Sequence, residues 1–139
     1  MTFSVHHLGV AVQDISQTAA AYVKCFGYQI ESAIVHDPLQ QAYVQFLRLP
    51  GDRVYLELVQ PDRSHSKLSQ AIAKGGGLNH VCYATDDVDA ACKELRARGM
   101  FLIAPPAPAV AFKGRRIAWL MGKDRVITEL VERGNEDQL

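Results

Sequence analysis

No apolar run in this chain of 139 residues is long enough to cross a bilayer, and no basic start followed by an apolar core of signal-peptide type precedes the first strand pattern. An excess of charge of one sign is missing too. Fifteen basic and fifteen acidic residues cancel, which argues against nucleic acid or an anionic membrane as the main partner. Cysteine is scarce: Cys25, Cys82 and Cys92 are an odd number without close metal-ligand spacing, in helix or strand positions that read as buried. That usage excludes a disulfide framework and points to a reducing cytoplasm, with the thiols serving as packing. The expectation is a soluble, cytoplasmic protein. The length leaves no room for a large second domain, and an apolar fraction of 48% is ordinary for a globular chain.

What is there divides into two similar stretches. The first reads as a strand over Val5 to Val12 and a helix over Asp14 to Phe26, with Asp14 as cap and Ile15, Ala19, Tyr22, Val23 and Phe26 at helical spacing. Gly27 stops the helix. Strand-like runs follow over Tyr28 to Val35, Ala42 to Leu49 and Arg53 to Gln60, parted by His36-Asp37-Pro38 and Pro50-Gly51-Asp52. The second stretch repeats the order: a strand over Asn79 to Thr85, a helix over Val88 to Arg98 closed by Gly99, and strands near Phe101, over Arg115 to Met121 and over Arg125 to Glu132. The spacing thus predicts a single domain over residues 1–139, with one module over about residues 4–62, a connector with a short helix from Ser66 to Lys74, and a second module over about residues 78–133. Ala104 to Phe112 is the one compositionally odd segment; its three prolines favour an extended, stiff edge or lid. The acidic tail from Gly134 to Leu139 reads as frayed.

The repeat carries chemistry. His7 and His80 open near-copies of one phrase, Val5-His6-His7-Leu8-Gly9-Val10 and Leu78-Asn79-His80-Val81-Cys82-Tyr83, and a shift of 73 residues superposes them together with Asp14 and Asp87. Each phrase is followed by a glutamate inside an apolar strand, Glu57 in Val54 to Val59 and Glu129 in Val126 to Val131. A carboxylate in such a run is costly to bury unpaired, so two in matching places call for a shared cation. Strand parity puts Glu57 on a face with Tyr55 and Val59, and Glu129 with Ile127 and Val131; Gly9 and Ala11, and likewise Cys82 and Ala84, leave room beside the histidines. Two imidazoles and two carboxylates suit one divalent transition metal, Co, Ni, Zn or Mn, held by His7, Glu57, His80 and Glu129. Taken singly, a strand histidine is more often a bonded core residue and a strand glutamate often faces solvent; the duplicated placement is what favours the metal. His6, on the opposite face, reads as structural, His36 and His65 as solvated turn residues, and Asp14 and Asp87 as caps.

The His7-Leu8-Gly9-Val10-Ala11-Val12-Gln13-Asp14 opening, its Asn79-His80 repeat and the closing Thr128-Glu129-Leu130-Val131-Glu132 resemble the vicinal oxygen chelate superfamily over about Val5 to Val131. That superfamily includes glyoxalase I, ring-cleaving dioxygenases, fosfomycin and bleomycin resistance proteins and methylmalonyl-CoA epimerase. The resemblance implies an α+β fold of two tandem βαβββ modules forming a curved half-barrel sheet around a central site. Within it the chain is most similar to methylmalonyl-CoA epimerases, on Gly75-Gly76-Gly77-Leu78-Asn79-His80, on Asp86 to Ala91, and on Gly114-Arg115-Arg116. The family's metal ligands carry over onto His7, Glu57, His80 and Glu129.

The implied chemistry is metal stabilisation of an enolate formed when the carbon beside a thioester carbonyl loses its proton. Glu129 is the candidate general base or exchanging ligand and Glu57 the residue that stays bound, so both are expected to be catalytic. Where some epimerases carry a second acidic residue this chain has Gln45, which as a substrate contact could not trade protons. Lys113, Arg115 and Arg116 could meet a CoA phosphate or could equally be a solvated basic turn. The leading expectation is a metal-dependent isomerase, epimerase or lyase acting on a small acyl thioester. A glyoxalase I-like lactoylglutathione lyase and a non-catalytic small-molecule binding or resistance protein are the alternatives. A homodimer, with neither nucleic acid nor membrane as partner, is the expected assembly.

Overall fold

A computed structural model describes residues 2–135, 138 and 139. The chain divides into two compact units, one of residues 7–79 and one of residues 80–139 together with those up to His6. Among the described residues no helix is long and apolar enough to cross a membrane.

In the first unit, strand β1 (Ser4–Ala11) leads to helix α1 (Ile15–Phe26), and then come β2 (Gln29–Ile30), β3 (Val35–Asp37), β4 (Ala42–Arg48), β5 (Tyr55–Pro61) and the short helix α2 (Ser69–Ala73). The Asp14 carboxylate accepts from the Gln17 amide at 3.1 Å, satisfying one of the otherwise orphaned first-turn donors of α1. Gly27, at φ 79°, ends the helix in the left-handed conformation that glycine takes without a steric penalty. The strands run β2-β4-β5-β1, with β3 also on β4; β1 and β5 are parallel, β4 and β5 antiparallel. Helix α1 packs Ile15 and Ala19 onto Val12, Leu47, Leu56 and Leu58.

The second unit repeats the plan with β6 (Gly77–Thr85), α3 (Val88–Ala97), β7 (Phe101–Pro108), β8 (Arg116–Met121) and β9 (Ile127–Glu132), in the order β6-β9-β8-β7. Asp87 caps α3 by accepting from the Ala90 amide at 2.9 Å, as Asp14 does for α1. Val88, Ala91 and Cys92 of that helix pack on Ala118, Leu120 and Leu130. The α+β class expected from the sequence is therefore what the strands and helices show.

Several boundaries move, each for a local reason. The run Tyr28 to Val35 is not one strand, because the Ser32 hydroxyl takes the Phe46 amide at 2.9 Å, a ladder position, and splits the run into β2 and β3. His36, expected in a turn, lies in β3; His65 is in a turn and exposed. Asp52 accepts from the amides of Arg53 and Val54, delaying β5 to Tyr55. The connector helix is Ser69–Ala73 rather than Ser66 to Lys74. The proline segment is an edge strand: β7 pairs with β8 alone, and its register slips between Ala104 and Ala107, where Pro105 and Pro106 have no amide hydrogen to give. A 3-10 turn, Val110–Phe112, follows it. Cys82 and Cys92 are buried as expected, but Cys25, on the last turn of α1, is exposed and is not a packing residue. In the tail, Glu136 and Asp137 lie outside the described residues, whereas the Leu139 carbonyl accepts from Arg115.

Candidate functional site

Each unit builds a His–Glu pair, and builds it in the same way. In the first, parallel pairing sets Gly9 of β1 opposite Glu57 of β5. His7, two residues before Gly9, shares its face, and its Nε2 lies 3.4 Å from Glu57 Oε1. In the second unit Cys82 of β6 stands opposite Glu129 of β9, and His80, two residues before Cys82, places Nε2 3.1 Å from Glu129 Oε2. A single inserted residue separates the two copies, as the sequence spacing requires. All four side chains are nearly closed to solvent: 0% and 6% exposed for His7 and Glu57, 2% and 3% for His80 and Glu129.

Carboxylates are retained at such depth only beside compensating groups. An imidazole nitrogen and a carboxylate oxygen, held together on adjacent strands, are the ligand types that zinc and related divalent metals take, so the residues present fit such an ion. The structure pairs His7 with Glu57 and His80 with Glu129.

A matched aromatic residue stands beside each pair. Phe46 of β4 lies directly across from Glu57, and its ring meets His7 edge-on at 5.3 Å between centroids. Trp119 of β8 lies across from Glu129 and meets His80 edge-on at 4.8 Å. Sequence reasoning did not single these residues out, although the signal was available: the shift that superposes His7 on His80 also superposes Phe46 on Trp119.

Gln45 is buried, and its amide nitrogen donates to the Ser32 carbonyl at 3.1 Å, so it braces the broken strand between β2 and β3. The basic group separates into three uses. Arg115 donates to the carbonyls of Phe112, Glu132 and Leu139, and burial pulls its guanidinium pKa down. Arg116 donates to Glu132 at 2.6 Å and to Asp89 at 2.7 Å, and hydrogen bonds to these two carboxylates raise its pKa. Lys113 is exposed, at φ 55° beyond the 3-10 turn. Among the other histidines, His6 meets Phe112 edge-on at 5.4 Å. His36 is bonded to Asp62 at 2.9 Å and stacks on Tyr43; the His36 bond, with Arg63 beside it, holds the Asp62 carboxyl below its ordinary pKa.

A family model described as the Glyoxalase/Bleomycin resistance protein/Dioxygenase superfamily matches residues 6–119. The chain is 28% identical over 122 residues to the ethylmalonyl-CoA/methylmalonyl-CoA epimerase of Cereibacter sphaeroides, covering 86% of this chain and 89% of that protein. It is 25% identical over 122 residues to the mitochondrial methylmalonyl-CoA epimerase of Homo sapiens, covering 86% and 67%. Among solved structures, a variant of Streptomyces coelicolor methylmalonyl-CoA epimerase in complex with 2-nitronate-propionyl-CoA matches with a TM-score of 0.82 at 29% identity, over 94% of this chain and 96% of that one. A hypothetical protein from Bacillus halodurans C-125 matches over 100% of both chains with a TM-score of 0.87; at 22% identity it bears on the fold alone. The α+β architecture, the doubled His–Glu pairs and a family match over most of the length agree, and the chain belongs to the glyoxalase/bleomycin resistance protein/dioxygenase superfamily.

Proposed function

We propose that this protein is a divalent-metal-dependent epimerase of a small acyl-CoA thioester, with methylmalonyl-CoA as the first substrate to test. The observation that carries the reading is the pair of buried His–Glu couples, His7 with Glu57 and His80 with Glu129, set by the same strand register in both modules. Relatives that bear the epimerase name support the substrate class. In this reading the four side chains belong to one domain and hold one ion, Co, Ni, Zn or Mn. Bound there, the metal supplies Lewis-acid stabilisation of negative charge developing on a carbonyl oxygen.

The protein's own residues do the rest. Glu129 takes the proton from the carbon between the thioester carbonyl and the carboxylate, Glu57 keeps its position as a ligand, and a donor other than Gln45 returns a proton to the opposite face of that carbon to complete the inversion. The closed surroundings of both carboxylates exclude water that would compete for that proton. Gln45 contacts the substrate or braces the strand that does, and holds no exchangeable acid. Lys113 is the cation assigned to a CoA phosphate; Arg115 and Arg116, bonded internally, hold the segment that presents it. The protein works in the cytoplasm as a homodimer, without nucleic acid or membrane partners.

Gln45 favours a second reading. With an amide fixed on Ser32 at that place, one carboxylate could take and return the proton on the same side, as in a glyoxalase I-like lyase. Incubation of the metal-loaded protein with a single methylmalonyl-CoA epimer in deuterium oxide tests the first reading: the other epimer appears and solvent deuterium enters the α-carbon. Absence of exchange, together with lactoylglutathione formation from methylglyoxal and glutathione, would transfer the assignment to the lyase. Binding without turnover of either would leave a sequestering protein.

A further inference from the structure

In each module an aromatic ring stands nearly perpendicular to the imidazole beside it: Phe46 at 75° to His7 and Trp119 at 82° to His80, with centroids 5.3 and 4.8 Å apart. Both rings come from the strand that flanks the glutamate's own and lie directly across from that glutamate. The torsion that turns an imidazole about its Cβ–Cγ bond is broad and has no sharp staggered wells to fix the ring. A metal ligand needs that plane fixed, which in metal sites is the task of the groups around the ligand. A perpendicular ring in contact opposes the turn, because rotation of the imidazole forfeits the edge-to-face contact. Burial adds to this: His7 and His80 are 0% and 2% exposed, and close-packed surroundings resist a second position of either ring.

The two modules reach the same angle with different neighbours. Phe46 is backed by Tyr55, 6.1 Å away at 82°, and Arg48 covers the Tyr55 ring. The second module has Ile127 where the first has Tyr55, each opposite its module's histidine, and there the wider indole of Trp119 takes the place of Phe46. Apolar filling is met by any side chain of suitable volume. A ring at about a right angle in both modules, despite that change of surroundings, points to the orientation of the histidine as what is being held.

We propose that Phe46 and Trp119 are positioning residues that fix the imidazole planes of His7 and His80, keeping each Nε2 beside its module's glutamate as a ready metal donor. The proposal rests on the metal reading above. Neither aromatic residue touches the ion in this account; each acts through its histidine, so that the ligands are set before the metal arrives and little ordering is left to oppose binding.

Leucine at either position keeps apolar bulk and removes the ring, whereas Trp119→Phe keeps a ring and installs the residue that the first module uses. Cobalt(II) titration gives the affinity and, through the visible absorption of the bound ion, the ligand geometry. Trp119→Leu and Phe46→Leu are each expected to bind cobalt(II) about tenfold more weakly than the wild type, with an altered visible spectrum. Trp119→Phe is expected to keep the wild-type affinity and spectrum. Urea titration separates loss of packing, which lowers the midpoint of unfolding without changing how the folded protein binds cobalt(II). Leucine variants with wild-type affinity and spectrum overturn the proposal, as does a Trp119→Phe variant weakened as much as Trp119→Leu. Should Trp119→Leu fail to fold, Trp119→Met and Phe46→Leu carry the same comparison. A wild type that takes up no cobalt(II) overturns the metal reading and this proposal with it.

Discussion

Glu57 and Glu129 are 5% and 2% exposed in strands whose other residues are largely apolar, and each has a histidine nitrogen within 3.4 Å. Their depth was legible because a strand residue's face follows from counting by two, and because the same count was met twice in the chain. The roles of Phe46 and Trp119 were less legible, since an aromatic residue in a strand is ordinary core until the strand pairing places it across from a carboxylate. For Glu129 as the proton acceptor, Glu129→Gln should slow deuterium exchange into methylmalonyl-CoA by about 10²- to 10⁴-fold, measured by mass spectrometry. Retention of wild-type exchange would move the base elsewhere. The cysteines make a separate test at this scale. Burial, with Asp89 nearby, raises the Cys92 thiol pKa, and the thiolate is the reactive form, while Cys25 is exposed. A thiol-specific reagent at mildly alkaline pH should therefore modify Cys25 rapidly in the folded protein, with Cys82 and Cys92 reacting only on unfolding; rapid reaction of all three would contradict this burial.

At the scale of elements, the helices were the easiest to read. Asp14 and Asp87 sit at equivalent places and make the same capping bond, so Asp14→Ala and Asp87→Ala should each lower unfolding free energy by about 1 kcal/mol in urea titration. The strands were read in order, as eight where the described residues form nine, and missed where side chains compete with the ladder. Ser32 breaks one run and Asp52 delays another, neither of which periodicity registers. Asp124, accepting from the Val126 amide, has the same effect on β9, which begins at Ile127 instead of Arg125. The Gly75-Gly76-Gly77 run was read as a stop, and it is more than that. At Gly76 the backbone φ is 75°, and a Cβ would stand 2.6 Å from the Ala11 carbonyl oxygen at the end of β1. Gly76→Ala should therefore destabilise the first unit through both clash and backbone strain, seen as a lower urea midpoint, whereas the same change at Gly51 meets no neighbour and carries the strain alone.

Across the whole molecule, the duplication ties fold to function. The shift that aligns His7 with His80 also aligns the two cap aspartates and the two aromatic residues, and the parallel registers place Glu57 and Glu129 opposite Gly9 and Cys82 with a one-residue offset. Each module supplies two candidate ligands, and neither pair alone completes a four-ligand shell, which is why the proposed function takes one ion for both. The basic group shows where sequence reading stopped short: three neighbouring cations read as one patch, yet Arg115 and Arg116 are engaged by partners far along the chain, which spacing does not reveal. The most direct measurement is the metal content of the purified, metal-loaded wild type and of His7→Ala, Glu57→Ala, His80→Ala and Glu129→Ala. One divalent ion per chain in the wild type, with affinity lowered in all four variants, is the expected result; two ions per chain, none, or a loss confined to the variants of one module would contradict a single shared site.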